Sequence, residues 1–339
     1  MSETELPVLS VRALQKHFPV ERGIIRRTVG AVKAVDDVSF DIAPGEILAL
    51  VGESGSGKTT LGRCIVRAID PTGGEATLTR RDGTSVDLVR TPQRGLRSIR
   101  SDMNMIFQDP FSSLSPRMPV IDIIGEPLRA QGIARREIHA RVREMAALVG
   151  LNLDYLTRYP NAFSGGQRQR ICIARALITN PRFIVADEPV SALDVSIQAQ
   201  ILNLLQDMRE RLNLSYLFIT HDLSVVEHMA DRVAVMYIGR IVELAPKSRL
   251  YATPRHPYTE ALLSAVLRPD PEARDQPILL TGESASPAAP PQGCHFHPRC
   301  RYAQDICRTV APQLTEVAPG HASACHLSKE LALRGVGTA

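Results

Sequence analysis

Gly52-Glu53-Ser54-Gly55-Ser56-Gly57-Lys58-Thr59 fits the pattern G-x-x-x-x-G-K-[ST]. The apolar run Ile47 to Val51 precedes it, and a helix-like segment begins near Lys58. Strand, glycine-rich turn and helix in this order form a cradle for a nucleoside triphosphate. Glycines let the backbone turn tightly, so consecutive N–H groups face phosphate oxygens, and the helix N-terminus adds partial positive charge. Gly52, Ser54, Gly55, Ser56 and Gly57 then line the cradle, Lys58 reaches the β and γ phosphates, and the Thr59 hydroxyl meets Mg²⁺. Thr60 follows on a helix whose core-facing stripe is expected to be Leu61, Cys64, Ile65 and Ala68. The alternative is a glycine-rich surface loop with a chance lysine, and both flanking contexts weigh against it.

Composition is compatible with such a site. At 339 residues, a large α/β domain with an appendage is expected, and 44% hydrophobic residues suffice for a buried core. A formal charge of +4, spread along the chain, does not call for nucleic acid. Arg135, Arg136, Arg141 and Arg143 cluster, but Ile138, Val142, Met145 and Val149 share one face of the same helix, so the arginines form its solvated side. No apolar run approaches the roughly 20 residues that span a bilayer, and Met1 to Pro7 carries no basic and apolar signal. The chain is therefore expected to be soluble, or attached to a membrane through others.

Two further stretches carry chemistry. The stretch Arg182 to Pro189 reads as a buried parallel strand that ends in two carboxylates, Asp187 and Glu188, the position where an α/β sheet exposes its reactive groups. Asp187 would hold Mg²⁺ and Glu188 would polarise the water attacking the γ phosphate; helix capping is the bland alternative for adjacent acids. Phe163-Ser164-Gly165-Gly166-Gln167-Arg168-Gln169-Arg170 is followed by the helix-like Ile171 to Leu177, with Ser164 as an N-cap and glycine N–H groups able to face an anion.

Together these motifs resemble the ATP-binding subunits of ATP-binding cassette (ABC) transporters, and their order along the chain matches throughout. The fold implied is α/β: a RecA-like P-loop core with an antiparallel β subdomain and a helical subdomain, plus a small cysteine-containing C-terminal extension. By the same resemblance, Phe18 stacks on adenine and Gln108 touches Mg²⁺ and the attacking water. Ser164, Gly165, Gly166 and Gln167 form the signature that covers ATP bound to a second subunit, Ser191 to Asp194 is the loop crossing the dimer interface, and His221 is the switch histidine at the γ phosphate. Phe163 departs from the leucine usual before Ser-Gly-Gly-Gln but precedes the phosphate-contacting atoms. A neutral imidazole at His221 could donate from one ring nitrogen and accept through the other.

Mechanistically, two such domains are expected to close head to tail on ATP and to part on hydrolysis. The helical subdomain, about 109–175, would grip a membrane partner and convert closure into its rearrangement. Arg255-His256-Pro257-Tyr258-Thr259-Glu260-Ala261-Leu262-Leu263 then looks like the C-terminal extension of oligopeptide and dipeptide importer ATPases. Leu14 to Pro19 and the inserted Arg22 to Thr28 resemble their second ATPase type. Two domains follow from this: residues 1–250 as the nucleotide-binding domain and residues 251–339 as the extension. His256 reads as a structural turn residue rather than a ligand.

Pro269, Pro271, Pro277, Pro287, Pro290 and Pro291 mark a linker without periodicity. Four of the six cysteines follow: Cys294, Cys300, Cys307 and Cys325. With no secretory signal, disulfides are not expected. Four soft thiolates could hold Zn²⁺ or an iron–sulfur cluster, and the lack of a C-x-x-C knuckle weakens zinc. The importer resemblance implies a [4Fe-4S] cluster; His295, His297, His321 and His326 are secondary candidates, and a metal-free tail is the alternative.

The expected function is that of an ATPase subunit powering peptide import at the cytoplasmic face of the bacterial inner membrane. It would work beneath two transmembrane permease subunits, beside an identical or related second ATPase, and be served by an extracytoplasmic binding protein, with no nucleic acid involved. An ATPase of a soluble carbon–phosphorus lyase assembly is the alternative. A ribosome- or nucleic-acid-acting cassette protein is a third reading, disfavoured because such chains usually carry two cassettes.

Overall fold

The computed structural model describes residues 6–22, 27–265, 277–282 and 285–336. Parts of two sequence expectations, Met1 to Glu5 and the insert at Gly23 to Arg26, lie outside the described residues, as do linker prolines Pro269 and Pro271.

Two long strands, Leu9–Arg22 (β1) and Arg27–Ile42 (β2), open the fold, followed by Ile47–Val51 (β3) and Lys58–Ile65 (α1). Next come Gly73–Thr79 (β4), Ser85–Asp87 (β5), Leu96–Ile99 (α2), Met103–Ile106 (β6) and Pro110–Ser113 (α3). A helical stretch holds Val120–Ala130 (α4), Arg135–Leu148 (α5) and Gly165–Leu177 (α6). Strands and helices then alternate through Phe183–Asp187 (β7), Val195–Leu212 (α7), Ser215–Ile219 (β8), Leu223–Met229 (α8), Arg232–Tyr237 (β9) and Arg240–Pro246 (β10). Lys247–Ala252 (α9), Pro257–Ser264 (α10), Asp305–Thr309 (α11), Thr315–Ala318 (β11) and His321–Ser323 (β12) complete it.

The chain forms two compact units. Residues Met1–Ser10, Asp41–Glu46 and Thr77–Phe218 make the first, and Val11–Phe40, Ile47–Ala76 and Ile219–Ala339 the second.

In the first unit β6 and β7 run parallel with Met103 opposite Phe183, and β8 flanks β7. All five residues of β7 and of β8 are buried, as continuous apolar runs in a parallel sheet require. Helices α4 and α5 pack against α6. Ile138, Val142, Ala146 and Val149 are the buried face of the α5 segment, with Ala146 completing the stripe where Met145 was expected; Arg135, Arg136, Arg141 and Arg143 are exposed. Gly125 permits the α4–α5 approach, since a Cβ there would stand 2.5 Å from Ile138 Cγ2.

In the second unit β3 pairs parallel to β9, with Leu48 opposite Arg232. Antiparallel β10 joins β9, antiparallel β12 joins β10 through Glu243 opposite Ser323, and β11 closes the edge. The core here combines Val51, Val226, Val233, Val235 and Tyr237 with Tyr251, Tyr258 and Phe296 from beyond β10. Glu243, fully buried, accepts hydrogen bonds from the N–H groups of Arg255 (2.7 Å) and His256 (3.0 Å) and lies 2.7 Å from His321 Nε2. Each carboxylate oxygen thereby has a partner, which a charge at that depth needs. Helix α1 ends at Ile65: Arg67 adopts φ 54° and Ala68 is exposed, so the expected stripe stops at Leu61, Cys64 and Ile65.

Candidate functional site

The glycine-rich turn leaves β3 and enters α1 within the second unit. Gly52 has φ 151° and a Cβ there would meet Met236 O at 2.2 Å; Gly57 has φ 106° and a Cβ would meet Ala34 O at 2.0 Å. Only glycine satisfies both the backbone angle and the close approach at Gly57. Gly57 is also the N-cap of α1 and supplies no side-chain cap. The first-turn N–H groups, which the helix itself cannot satisfy, are therefore not claimed by a capping side chain. Lys58, 6% exposed, donates from Nζ to Gly52 O (2.8 Å), Glu53 O (2.9 Å) and Ser56 Oγ (3.3 Å), which draws its ammonium back over the loop. Thr59 and Thr60 follow in the first turn of α1.

Phe18 lies on β1 of the same unit, 36% exposed, with Lys16 Nζ 4.8 Å from its ring centroid. Its neighbour His17 places Nε2 3.0 Å from the buried Asp36, which also receives Nε and Nη2 of Arg240 at 2.9 and 2.7 Å. Burial alone would raise the Asp36 carboxyl, but the charges of Arg240 and Lys33 and the hydrogen bonds from Arg240 and His17 outweigh it and hold it below the usual carboxylate range. His221 follows β8, between Thr220, whose N–H donates to Leu50 O, and Asp222, the N-cap of α8.

The carboxylates and the signature belong to the first unit. Asp187 closes β7 and is 1% exposed. Glu188 has φ 45°, a left-handed conformation that costs a non-glycine residue of order 1 kcal/mol or more. Its carboxylate accepts a 2.7 Å hydrogen bond from Gln108 Nε2, and its carbonyl accepts from Ser191 N–H and Oγ. Two residues placed together from the sequence, Gln108 and Glu188, thus touch, although 80 positions separate them.

Ser164 caps α6 in a capping box: its Oγ accepts from Gln167 N–H at 3.4 Å while Gln167 Oε1 accepts from Ser164 N–H at 3.1 Å. Gly165 and Gly166 bring the start of α6 against Leu193 and Ile197; a Cβ on Gly166 would stand 2.6 Å from Ile197 Cγ2. Phe163 is buried, and its carbonyl accepts from Arg168 Nε at 3.0 Å.

Cys294, Cys300, Cys307 and Cys325 line one cavity of about 20 Å³ with Phe296, Tyr302 and Leu327. Burial pushes the Cys294 thiol up to about 11 and Cys325 to about 12, and raises Cys300, so these sulfurs are protonated at neutral pH. The iron–sulfur and zinc expectations gain no support: among the described residues no group of three or more His, Cys, Asp or Glu side chains is arranged to hold a metal ion. The space is about that of one water molecule. Of the four histidines, His297 and His326 also line this cavity, while His295 and His321 do not. His321 faces Glu243, His297 Nδ1 lies 2.9 Å from Cys294 O, His326 Nε2 lies 2.9 Å from Val310 O, and His295 titrates low through burial. His256 Nδ1 accepts from Tyr258 N–H at 3.1 Å as the N-cap of α10.

Sequence reasoning missed the supports of the cradle, among them Arg299 and Tyr258, because residues so far along the chain carry no spacing signal toward Glu53.

Comparison with known proteins fits this geometry. The ABC transporter family model matches residues 35–191, and that of the oligopeptide/dipeptide transporter C-terminal region matches residues 242–307. A peptide import ATP-binding protein of Brucella ovis is 54% identical over 323 residues, covering 95% of this chain and 98% of its own. The chain belongs to the oligopeptide/dipeptide class of ABC transporter ATP-binding proteins. Within this class, the oligopeptide transport ATP-binding protein AppF of Bacillus subtilis is 50% identical over 323 residues, covering 94% of this chain and 97% of its own. The ATP-binding cassette MJ0796, solved as a post-hydrolysis dimer with ADP and Pi, superposes with a TM-score of 0.60 at 27% identity, over 70% of this chain and 98% of that one. The α/β cassette fold expected from the motifs is therefore the fold of this family member.

Proposed function

We propose that this chain binds and hydrolyses MgATP to power peptide import as the ATPase subunit of a bacterial ABC transporter, with residues 1–250 as the cassette and 251–339 as its extension. The supporting observation is the cradle: an α1 N-terminus without a side-chain cap, behind two glycines that admit no Cβ, with Lys58 folded over the loop. Lys58 and the amides from Ser54 to Thr60 hold the phosphates, and Phe18 lies against the adenine. The oxygen donors Thr59, Gln108 and Asp187 suit a hard ion and would hold Mg²⁺, which neutralises charge on the β and γ phosphates.

Glu188, fixed by Gln108, accepts the proton of the attacking water, and His221 donates to the γ phosphate. Ser164, Gly165, Gly166 and Gln167 cover the ATP of a second, identical or related ATPase. Two transmembrane permease subunits transmit the motion, and an extracytoplasmic binding protein delivers the peptide. No helix among the described residues is long and apolar enough to cross a membrane, so attachment to the cytoplasmic face of the inner membrane would be peripheral. The soluble lyase-type assembly is not favoured, given the match of residues 242–307 to the transporter C-terminal region.

The reading extends to the tail. Four thiols sharing one cavity are a soft donor set, and burial disfavours the thiolates of Cys294, Cys300 and Cys325 until a cation compensates. Iron, zinc and acid-labile sulfide content of anaerobically purified protein decides among [4Fe-4S], Zn²⁺ and a metal-free tail. Function as a whole is tested by mild-detergent affinity purification from the host with mass spectrometry. Two polytopic membrane proteins and an ATPase support the importer; a soluble multi-enzyme core overturns it.

A further inference from the structure

Glu53 occupies the first variable position of the cradle, and both its side chain and its peptide group are tied to residues near the other end of the chain. Its carboxylate accepts two parallel hydrogen bonds from Arg299, Nη1 to Oε2 at 2.7 Å and Nη2 to Oε1 at 3.1 Å. A fork of this kind fixes orientation as well as charge, which a lysine cannot reproduce. The side chains are 9% and 30% exposed, so the pair is less screened than an ordinary surface bridge. Arg299 ends the short turn His297–Arg299, between Cys294 and Cys300.

A second tie reaches the backbone. Glu53 N–H donates to Tyr258 Oη at 2.7 Å. Tyr258 is fully buried in the first turn of α10, and its ring packs 5.3 Å from Phe296 and 4.7 Å from Tyr237. Phe296 stands in the same stretch as Arg299, so residues 294–300 support both the carboxylate and, through Tyr258, the amide of Glu53.

The consequence concerns Lys58. Anion-binding loops work by turning their N–H groups toward the ligand. Glu53 N–H is turned to Tyr258 instead, and this fixes the plane of its peptide. Lys58 Nζ is held by the carbonyls on either side of that amide, Gly52 O and Glu53 O. A continuous set of hydrogen bonds therefore runs from Arg299 and Tyr258 through Glu53 to the ammonium that meets the phosphates.

We propose that Arg299 and Tyr258 are positioning residues for nucleotide binding, through which the cysteine-bearing extension sets the affinity of the cradle for a nucleoside triphosphate. This rests on the reading of Gly52 to Thr59 as that cradle. Neither residue needs to touch the nucleotide; both act by fixing Glu53.

The test is equilibrium binding of a fluorescent ATP analogue, with Mg²⁺, to the full chain and its variants. Arg299→Ala and Glu53→Gln each weaken binding about tenfold, the scale of one charge-assisted hydrogen bond. The double variant is no weaker than the worse single one, because both remove the same link. Arg299→Lys recovers only part of the affinity, and Tyr258→Phe weakens binding severalfold with thermal melting close to wild type. If Arg299→Ala fails to fold, Glu53→Gln and Tyr258→Phe carry the test. Wild-type affinity in these variants, or losses that add in the double, overturns the proposal. A wild-type chain that does not bind the analogue overturns the cradle reading itself, so the two failures are distinguishable.

Discussion

Helices α1 and α6 both begin on glycine-rich turns suited to an anion, and they are finished in opposite ways. The α1 turn has no capping side chain and is sheltered: Ser56 and Lys58 are buried, and Met236, Ala34, Tyr258 and Arg299 surround or tie the loop. The α6 turn satisfies its own groups through the Ser164–Gln167 box, and both of those residues are exposed. An uncapped N-terminus depends on its surroundings for shape, whereas a self-capped one keeps its shape in solvent. This difference suits the proposed division of labour, in which one chain grips the nucleotide and its neighbour covers it.

Substituting alanine at the two helix starts probes the contrast most severely. Gly57→Ala sets a Cβ 2.0 Å from a backbone oxygen at φ 106°, so we expect a loss of about 3 kcal/mol or more in urea unfolding and no nucleotide binding. Gly166→Ala meets a side-chain methyl, Ile197 Cγ2 at 2.6 Å, rather than a backbone oxygen, and should cost less, about 1–2 kcal/mol; equal losses would break the comparison.

Lys58→Ala, judged by titration calorimetry with MgATP, should abolish measurable affinity, since the phosphates lose their main side-chain charge. Glu188→Gln should retain ATP but slow phosphate release on the order of a hundredfold, with a closed dimer on size-exclusion chromatography. Unchanged turnover would remove Glu188 from the water-activating role. Ser164→Ala should lower stability by about 1 kcal/mol while leaving the single chain's nucleotide affinity intact. An affinity change there would mean that the two helix starts are not independent.

The smallest effect concerns acidity. Burial drives His256 from its ordinary value of 6.5 down to about 3, so the folded chain keeps this ring neutral while the unfolded chain protonates it. The sign follows: this contribution to stability is fully present above about pH 6.5 and declines as pH falls toward 3. His256→Asn keeps an N-cap acceptor without a titrating group and should flatten the dependence of the urea midpoint between pH 6.5 and 5.

What the sequence disclosed was local. The β3–turn–α1 passage and the β7 carboxylates announce themselves because the chemistry needs those residue types at fixed spacing. Ala68 was misplaced because periodicity does not see the left-handed Arg67 that stops the helix at Ile65. Hairpin β11–β12 escaped notice since its strands are four and three residues long and gain order only by joining β10. The cysteines were visible as a group, and they do share a cavity, yet composition could not state its volume or the burial that disfavours the thiolates of Cys294, Cys300 and Cys325. Arg299 was invisible as a support of the cradle, being 246 positions from Glu53.

That separation also has a meaning in time. Translation at roughly 5–20 residues per second leaves on the order of ten to fifty seconds between synthesis of Glu53 and synthesis of Arg299. The stretch Thr77–Phe218, which makes up most of the first unit, emerges unbroken within that interval. Strand β3, by contrast, waits for β9, with Ile47 and Asp231 lying 184 positions apart. The nucleotide-facing loop is thus born early and braced last, and a ribosome stalled before residue 299 carries a cradle without its Arg299 tie.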